Sequence, residues 1–147
     1  EGRDVVTGQD IEEICTTQTT NRIFDMVRAV TEKNQERALE LYYDLLTLKE
    51  PPMRILFLLA KQYRQLLQVK QFGAAGLAQT EMASKLGVPT FAVRNIVSCA
   101  RAYSISELEQ AVRDFVDAEE SVKTGRLEDK LSVELLIIKY SSKKAAG

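Results

Sequence analysis

Residues 51–72 read PPMRILFLLAKQYRQLLQVKQF, and this stretch decides the fold class. Pro51 and Pro52 interrupt the segment before them and suit the first turn of a helix, where a missing N–H costs little. The run from Ile55 to Leu59 is wholly apolar, so the first half of this helix is apolar on every side, as is typical of a helix inside a bundle. The second half becomes amphipathic, and we expect Gly73 to end it.

Segments with helical periodicity lie on both sides of this helix. Their apolar residues recur every three or four positions, and no segment shows the alternation that indicates a strand. Glycines and prolines separate the segments and give short loops. The sequence therefore predicts an all-α fold, a bundle of seven to eight helices. The predicted helices span about residues 9–16, 22–31, 35–49, 52–72, 80–86, 89–103, 106–125 and 128–140.

Several helix ends carry recognisable capping residues. Asn34 is a predicted N-cap, and Ser106 with Glu109 matches the S-x-x-E capping box. The box would open a helix that stops at Gly125. The last predicted helix aligns three apolar residues on one face: Leu131, Leu135 and Ile138.

The composition narrows the class of protein. The chain has 147 residues, 45% of them hydrophobic, and a net charge of −1. A charge so near zero argues against a general binder of nucleic acid or membrane surfaces, and no apolar run is long enough to span a bilayer. Cys15 and Cys99 are too few for a disulfide framework, so we expect reduced thiols in a cytoplasmic protein.

No residue pattern indicates catalysis. The chain has no histidine, which removes the commonest general base and a common metal ligand. Gly73 and Gly76 lack the G-K-[ST] that would complete a phosphate loop. Adjacent carboxylates such as Glu119 and Glu120 do not face each other on a helix. We therefore expect neither a cofactor, nor a metal site, nor an enzyme.

Residues 80–96 match a helix-turn-helix pattern. Ala83 allows a close helix approach, and Gly87 can supply a turn with positive φ. In a DNA-reading domain the second helix would present side chains to a groove: Thr90, Phe91, Arg94 and Asn95. Few cations lie nearby to neutralise phosphates, which favours a purely structural helix pair. A helix-turn-helix DNA-binding domain remains the alternative interpretation.

The order of several short stretches resembles the C-terminal, collar part of the delta subunit of the bacterial DNA polymerase III clamp loader. The likeness covers nearly the whole chain, and it rests on order and spacing more than on any single motif. The stretches are NRIFDMV (21–27) with AL (38–39) and LL (45–46), EPP (50–52) with IL (55–56) and KQYRQLL (61–67), MASKLGVP (82–89) with AR (100–101), and DAEE (117–120) with KTG (123–125).

This resemblance implies a domain division and a set of partners. Residues 1–18 would end a lid-like second domain, residues 19–141 would form the helical collar domain, and residues 142–147 would be a disordered tail. The domain would bind the gamma/tau motor subunits and delta-prime, in the complex that loads the sliding clamp onto DNA. The clamp itself would be contacted only by an N-terminal domain that this chain lacks. We expect little direct contact with DNA and none with a membrane.

Exposed aromatic and arginine side chains are the usual anchors of a protein interface. On that ground five residues are candidates for partner contacts: Tyr63, Arg64, Phe91, Arg94 and Tyr103. The sequence leaves a second interpretation open for each residue. In it, the residue lines the core of the domain or lies on surface that contacts no partner.

Overall fold

The computed structural model describes residues 8–142, with side chains from residue 18 onward. Seven helices and no strand occur in this part of the chain, which confirms the all-α bundle. Residues 1–7 and 143–147 lie outside the described residues, so the predicted domain division stays a prediction. The helices are α1 (Gly8–Thr31), α2 (Gln35–Thr47), α3 (Pro52–Ala74), α4 (Gln79–Leu86), α5 (Thr90–Ala100), α6 (Ile105–Lys123) and α7 (Asp129–Ser141).

Helix α3 lies at the centre of the bundle, as its sequence predicts. It packs against α6 and α5 most extensively and also against α1, α4 and α7. Its buried side chains include Ile55, Leu59, Tyr63 and Leu66, and they belong to one core cluster shared by all the helices. The prediction that the first half is buried on every side is wrong at Phe57, which is 61% exposed. One strip of α3 therefore faces solvent.

The first helix is continuous where two short helices were predicted. No glycine or proline interrupts residues 9–31, and the β-branched threonines in between lower helix propensity by only tenths of a kcal/mol each. Thr19 is buried in this stretch, and its hydroxyl donates to a carboxylate oxygen of Glu50 at 2.6 Å. This contact ties α1 to the loop between α2 and α3. The predicted boundary between residues 18 and 19 falls inside α1.

Two of the predicted helix boundaries are confirmed, and the predicted end of α3 is displaced. The Asn34 side chain caps α2 by accepting from the Arg37 N–H at 3.2 Å, and Gly87 ends α4 with φ +71°. Helix α3 runs through Gly73 to Ala74, and the turn with positive φ falls at Gly76. A glycine near a helix end is tolerated where the next residues can take up the turn.

The capping box of α6 lies two residues earlier than predicted. Ser104 Oγ accepts from the Glu107 N–H at 3.1 Å, and Glu107 Oε1 accepts from the Ser104 N–H at 2.8 Å. The sequence contains S-x-x-E twice in overlapping positions, at 104–107 and at 106–109. Tyr103 is buried just before Ser104, and this fixes where the chain enters the helix.

The apolar face of α7 that the periodicity aligns is not the face that packs into the core. Leu131 and Leu135 are exposed and Ile138 is only partly buried, whereas Val133, Leu136 and Ile137 are buried. Both faces of this helix carry apolar residues at helical spacing, so the periodicity could not distinguish them. The helices packed against α7, chiefly α2, α1, α3 and α6, cover the second face.

Candidate interaction surface

Two of the five predicted contact residues lie in the interior. Tyr63 is 1% exposed and Tyr103 is 4% exposed, so neither side chain can reach a partner from the folded domain. Their assignment as partner-contact residues is therefore wrong, and both belong to the core. Arg64, Phe91 and Arg94 are exposed, and Phe91 is the most exposed large apolar side chain described, at 66%. For these three residues a partner contact stays a prediction.

Tyr63 and Tyr103 instead hold an aromatic cluster together. The Tyr63 ring lies 5.7 Å from the Tyr103 ring, 5.2 Å from Phe115 and 5.9 Å from Tyr140, measured between centroids. The cluster joins α3, α6, α7 and the turn between α5 and α6. Tilted aromatic pairs at these distances add stabilisation beyond their buried area, about 0.5–1.5 kcal/mol each. The cluster therefore fixes α3, which carries Arg64, against α6 and α7.

The surface of the domain includes one exposed strip of α3. Phe57, Lys61 and Arg64 recur at i, i+4 and i+7, and all three are exposed. We call these three residues the α3 strip. Their spacing places them on one side of the helix, spread over roughly 10 Å at about 1.5 Å per residue.

A groove lies on one side of this strip, between α1, α3 and α5, and has a volume of about 310 Å³. Apolar side chains of all three helices line it, among them Phe24, Leu58 and Ile96, together with the exposed Phe91. Four amide side chains also line it, and we call it the amide groove for that reason: Asn21, Gln62, Gln65 and Asn95. Among the described residues that line it, Lys61 alone is charged. Arg94 is on the same helix as Phe91 but does not line the groove.

A smaller groove lies on the other side of the strip, between α3 and α6. It has a volume of about 190 Å³ and is lined by Phe57, Arg64, Val116 and Glu119, among others. Val116 is 57% exposed. Phe91, Phe57 and Val116 are thus the three most exposed large apolar side chains of the described residues, and all three border the two grooves beside α3.

Sequence reasoning missed Phe57, Lys61 and Val116. Phe57 stands inside a run of five apolar residues, which hides its orientation. A signal was present, since Lys61, Arg64 and Gln68 follow it at helical spacing and are all polar. No comparable signal marks Val116, because only the packing of α6 against α3 leaves it uncovered.

The helix-turn-helix segment is confirmed as a packed helix pair. Met82, Ala83, Val93 and Ile96 are buried, and α4 contacts α5 across the turn at Gly87. Phe91 and Asn95, which the DNA-binding interpretation would present to a DNA groove, line the amide groove of the domain. No finding from structure or comparison supports the DNA-binding alternative.

Among the described residues, no group of three or more histidine, cysteine, aspartate or glutamate side chains could hold a metal ion. None of the seven helices combines the length and the hydropathy that crossing a membrane requires. Cys99 is a free thiol in the interior, and burial raises its pKa.

Comparison with known proteins identifies the family. Residues 20–140 match the family model described as DNA polymerase III delta subunit, C-terminal domain. The chain is 29% identical over 136 residues to DNA polymerase III subunit delta of Bacillus subtilis (strain 168), covering 92% of this chain and 39% of that protein. The solved Bacillus subtilis DNA clamp loader delta protein superimposes with a TM-score of 0.78 and 29% sequence identity, covering 84% of this chain and 36% of that one. The chain thus spans about two fifths of the length of its curated relative, and it belongs to the family formed by the C-terminal domains of DNA polymerase III delta subunits.

Proposed function

We propose that this chain is the collar domain of a clamp-loader delta subunit, a non-catalytic domain that assembles the complex which loads the sliding clamp onto DNA. The family match over residues 20–140 carries the proposal. It is supported by the relatives, whose names are DNA polymerase III subunit delta and DNA clamp loader delta protein.

The surface described above fits a role in assembly. Monomeric proteins rarely leave several large apolar side chains exposed side by side, and such patches commonly mark binding sites. Phe57, Phe91 and Val116 border one face of the domain, with Arg64 and Lys61 between them. Aromatic and arginine side chains are enriched among the residues that dominate interface energies.

Membership of this family supports a proposal about the partners. We infer that the domain binds the gamma/tau motor subunits and delta-prime through its helix faces. Contact with the sliding clamp would belong to parts of the longer relatives that this chain does not match. A stable contact of standard size would bury on the order of 800 Å² on each partner.

Size-exclusion chromatography with light scattering tests the proposal. The chain is run alone, then with purified gamma motor subunit and delta-prime of the same organism, beside a full-length delta subunit as the positive control. We expect co-elution at a defined stoichiometry. If full-length delta assembles while this chain stays separate, the domain is not sufficient for assembly and the proposal fails.

A double variant tests the surface residues. Phe91→Ala with Arg94→Ala should weaken co-elution while the helical circular dichroism stays unchanged, since both side chains are exposed. Leu135→Ala is a matched control, because Leu135 is also an exposed apolar residue but lines neither groove beside α3. If both variants assemble equally well, Phe91 and Arg94 do not belong to the interface.

A further inference from the structure

Within the described residues, no ion pair neutralises the charges on the α3 strip. Lys61 and Arg64 lie one turn apart and are exposed. Neither forms an ion pair within residues 18–142, whereas Arg54 on the same helix pairs with Glu50 at 3.7 Å. Among the described residues that line the smaller groove, the one carboxylate is that of Glu119, which already pairs with Lys123 at 3.2 Å. The strip therefore presents two cations that an acidic partner could neutralise.

The amide groove beside the strip has unused hydrogen-bonding groups. The amides of Asn21, Gln62, Gln65 and Asn95 make no hydrogen bond within the described side chains. A volume of about 310 Å³ lies at the lower limit for small-molecule sites, which bury most of their ligand. It suits one large apolar side chain of a protein partner, surrounded by groups that can bond to polar neighbours of that side chain.

The shape of the surface favours a helix as the partner. A ridge formed by α3 stands between two grooves, and helices pack by placing ridges of side chains into such grooves. An added β-strand would need unpaired backbone N–H and C=O groups, and the surface of a helical bundle offers none along its helices. A nucleic acid strand would need more cations than Lys61 and Arg64 supply here.

We propose that the α3 strip and the amide groove bind an acidic amphipathic helix of a neighbouring clamp-loader subunit. The helix places one large apolar side chain beside Phe91 in the amide groove, and its carboxylates face Lys61 and Arg64. This inference rests on the proposed function and adds to it the surface used and the chemistry of the partner.

The two parts of the contact should affect different rate constants. Charges at the rim of an interface act mainly on the association rate and lose their effect at high salt. A buried apolar anchor acts mainly on the dissociation rate. The proposal therefore predicts two kinetic phenotypes from substitutions on one face of the domain.

Binding kinetics measured at low and high salt test this. The probes are purified gamma motor subunit and delta-prime, each immobilised in turn, with the chain in solution. Lys61→Glu with Arg64→Glu should slow association about tenfold at low salt and much less at high salt. Phe91→Ala should speed dissociation about tenfold at both salt concentrations. Lys85→Glu with Lys130→Glu makes the same change of charge away from the strip, and its rates should stay within about twofold of those of the unchanged chain.

Each other outcome has a distinct meaning. If the unchanged chain binds neither subunit in solution or on the surface, the proposed function fails and the inference fails with it. If the chain binds but Lys61→Glu with Arg64→Glu has no more effect than the control, the partner is not acidic at this strip and only the inference is overturned. The inference would also be overturned if Lys61→Glu with Arg64→Glu left subunit binding intact but abolished self-association or binding to a single-stranded oligonucleotide.

Discussion

The phenol oxygens of Tyr63 and Tyr103 lie 3.0 Å apart in the interior of the bundle, and the surrounding bonds fix which one donates. Tyr103 donates its single hydroxyl hydrogen to the backbone oxygen of Tyr140 at 3.2 Å. Tyr63 must therefore donate to Tyr103. The result is a directed chain of hydrogen bonds from α3, through the turn before α6, to the C-terminal end of α7.

This direction makes the two tyrosines unequal. Tyr103→Phe removes both the acceptor of Tyr63 and the donor to Tyr140, so the buried Tyr63 hydroxyl loses its partner. We expect this variant to lower the free energy of unfolding by about 2–3 kcal/mol, since an unsatisfied buried donor carries the full desolvation cost. Tyr63→Phe removes one hydrogen bond and leaves Tyr103 donating to Tyr140, so about 1 kcal/mol should be lost.

Urea unfolding of the two single variants and the double variant measures the difference. The midpoint should shift at constant slope, which shows a change of stability and not of the unfolded state. The double variant should be less destabilised than the sum of the single variants, because it leaves no orphaned hydroxyl. A larger loss for Tyr63→Phe than for Tyr103→Phe would contradict the assigned direction.

The tyrosines should also make the fold sensitive to alkali. Burial raises the pKa of Tyr103 to about 12 and the pKa of Tyr63 well above its usual value. Burial and Asp114 raise the pKa of Tyr140, and burial with Glu134 raises the pKa of Tyr42. Phenols of the unfolded chain ionise near pH 10, whereas these phenols in the native state stay protonated to higher pH. Their contribution to stability is therefore complete below about pH 10 and is lost as the pH rises toward about 12.

A combined titration checks this expectation. Tyrosinate absorbance and helical circular dichroism are followed together from neutral to alkaline pH. Of the five tyrosines only Tyr43 is exposed, so at most one phenol should ionise before the helices melt. Ionisation of three or more phenols with the helices intact would show that the cluster does not hold its protons as the burial implies.

The sequence predicts the helices well and their exposed faces poorly. Local rules identified Asn34, Gly87 and the central helix, because capping and turn geometry depend on neighbours in the chain. The outward orientation of Phe57 and of Leu135 depends on which helices pack alongside. That information lies in contacts between distant segments, and it also decides that Tyr63 and Tyr103 belong to the core. Of the five predicted contact residues, only those that are exposed once the helices have packed remain candidates.

The displaced capping box gives a matched pair of variants. Ser104→Ala removes the oxygen that accepts from the Glu107 N–H, and an N-cap serine contributes about 1 kcal/mol. Ser106→Ala changes an exposed residue in the first turn of α6 and should leave stability within about 0.5 kcal/mol. Thermal unfolding should show a melting temperature lower by about 3 °C for the first variant only. If Ser106→Ala instead lowered the melting temperature more than Ser104→Ala, the capping box would be formed by Ser106 and Glu109.

Lysines in the left-handed region of φ offer a further comparison. Lys33 and Lys49 have φ values of +62° and +68°, which strain any residue with a Cβ atom. Lys49 is exposed between α2 and α3, so Lys49→Gly should relieve the strain and raise the free energy of unfolding by up to about 1 kcal/mol, less the entropy that glycine adds to the unfolded chain.

Lys33→Gly should have the opposite sign although it relieves the same strain. The Lys33 ammonium donates to the backbone oxygen of Tyr140 at 3.0 Å and lies 4.9 Å from the centroid of the Tyr103 ring. The hydrogen bond caps the negative end of α7 and contributes about 1.5–3 kcal/mol. The contact with the Tyr103 ring stabilises the aromatic cluster and contributes about 0.5–1 kcal/mol. Their loss exceeds the strain relieved, so unfolding in urea should begin earlier for Lys33→Gly and later for Lys49→Gly. A shift of both midpoints in the same direction would show that backbone strain outweighs the Lys33 contacts, or that neither lysine is strained.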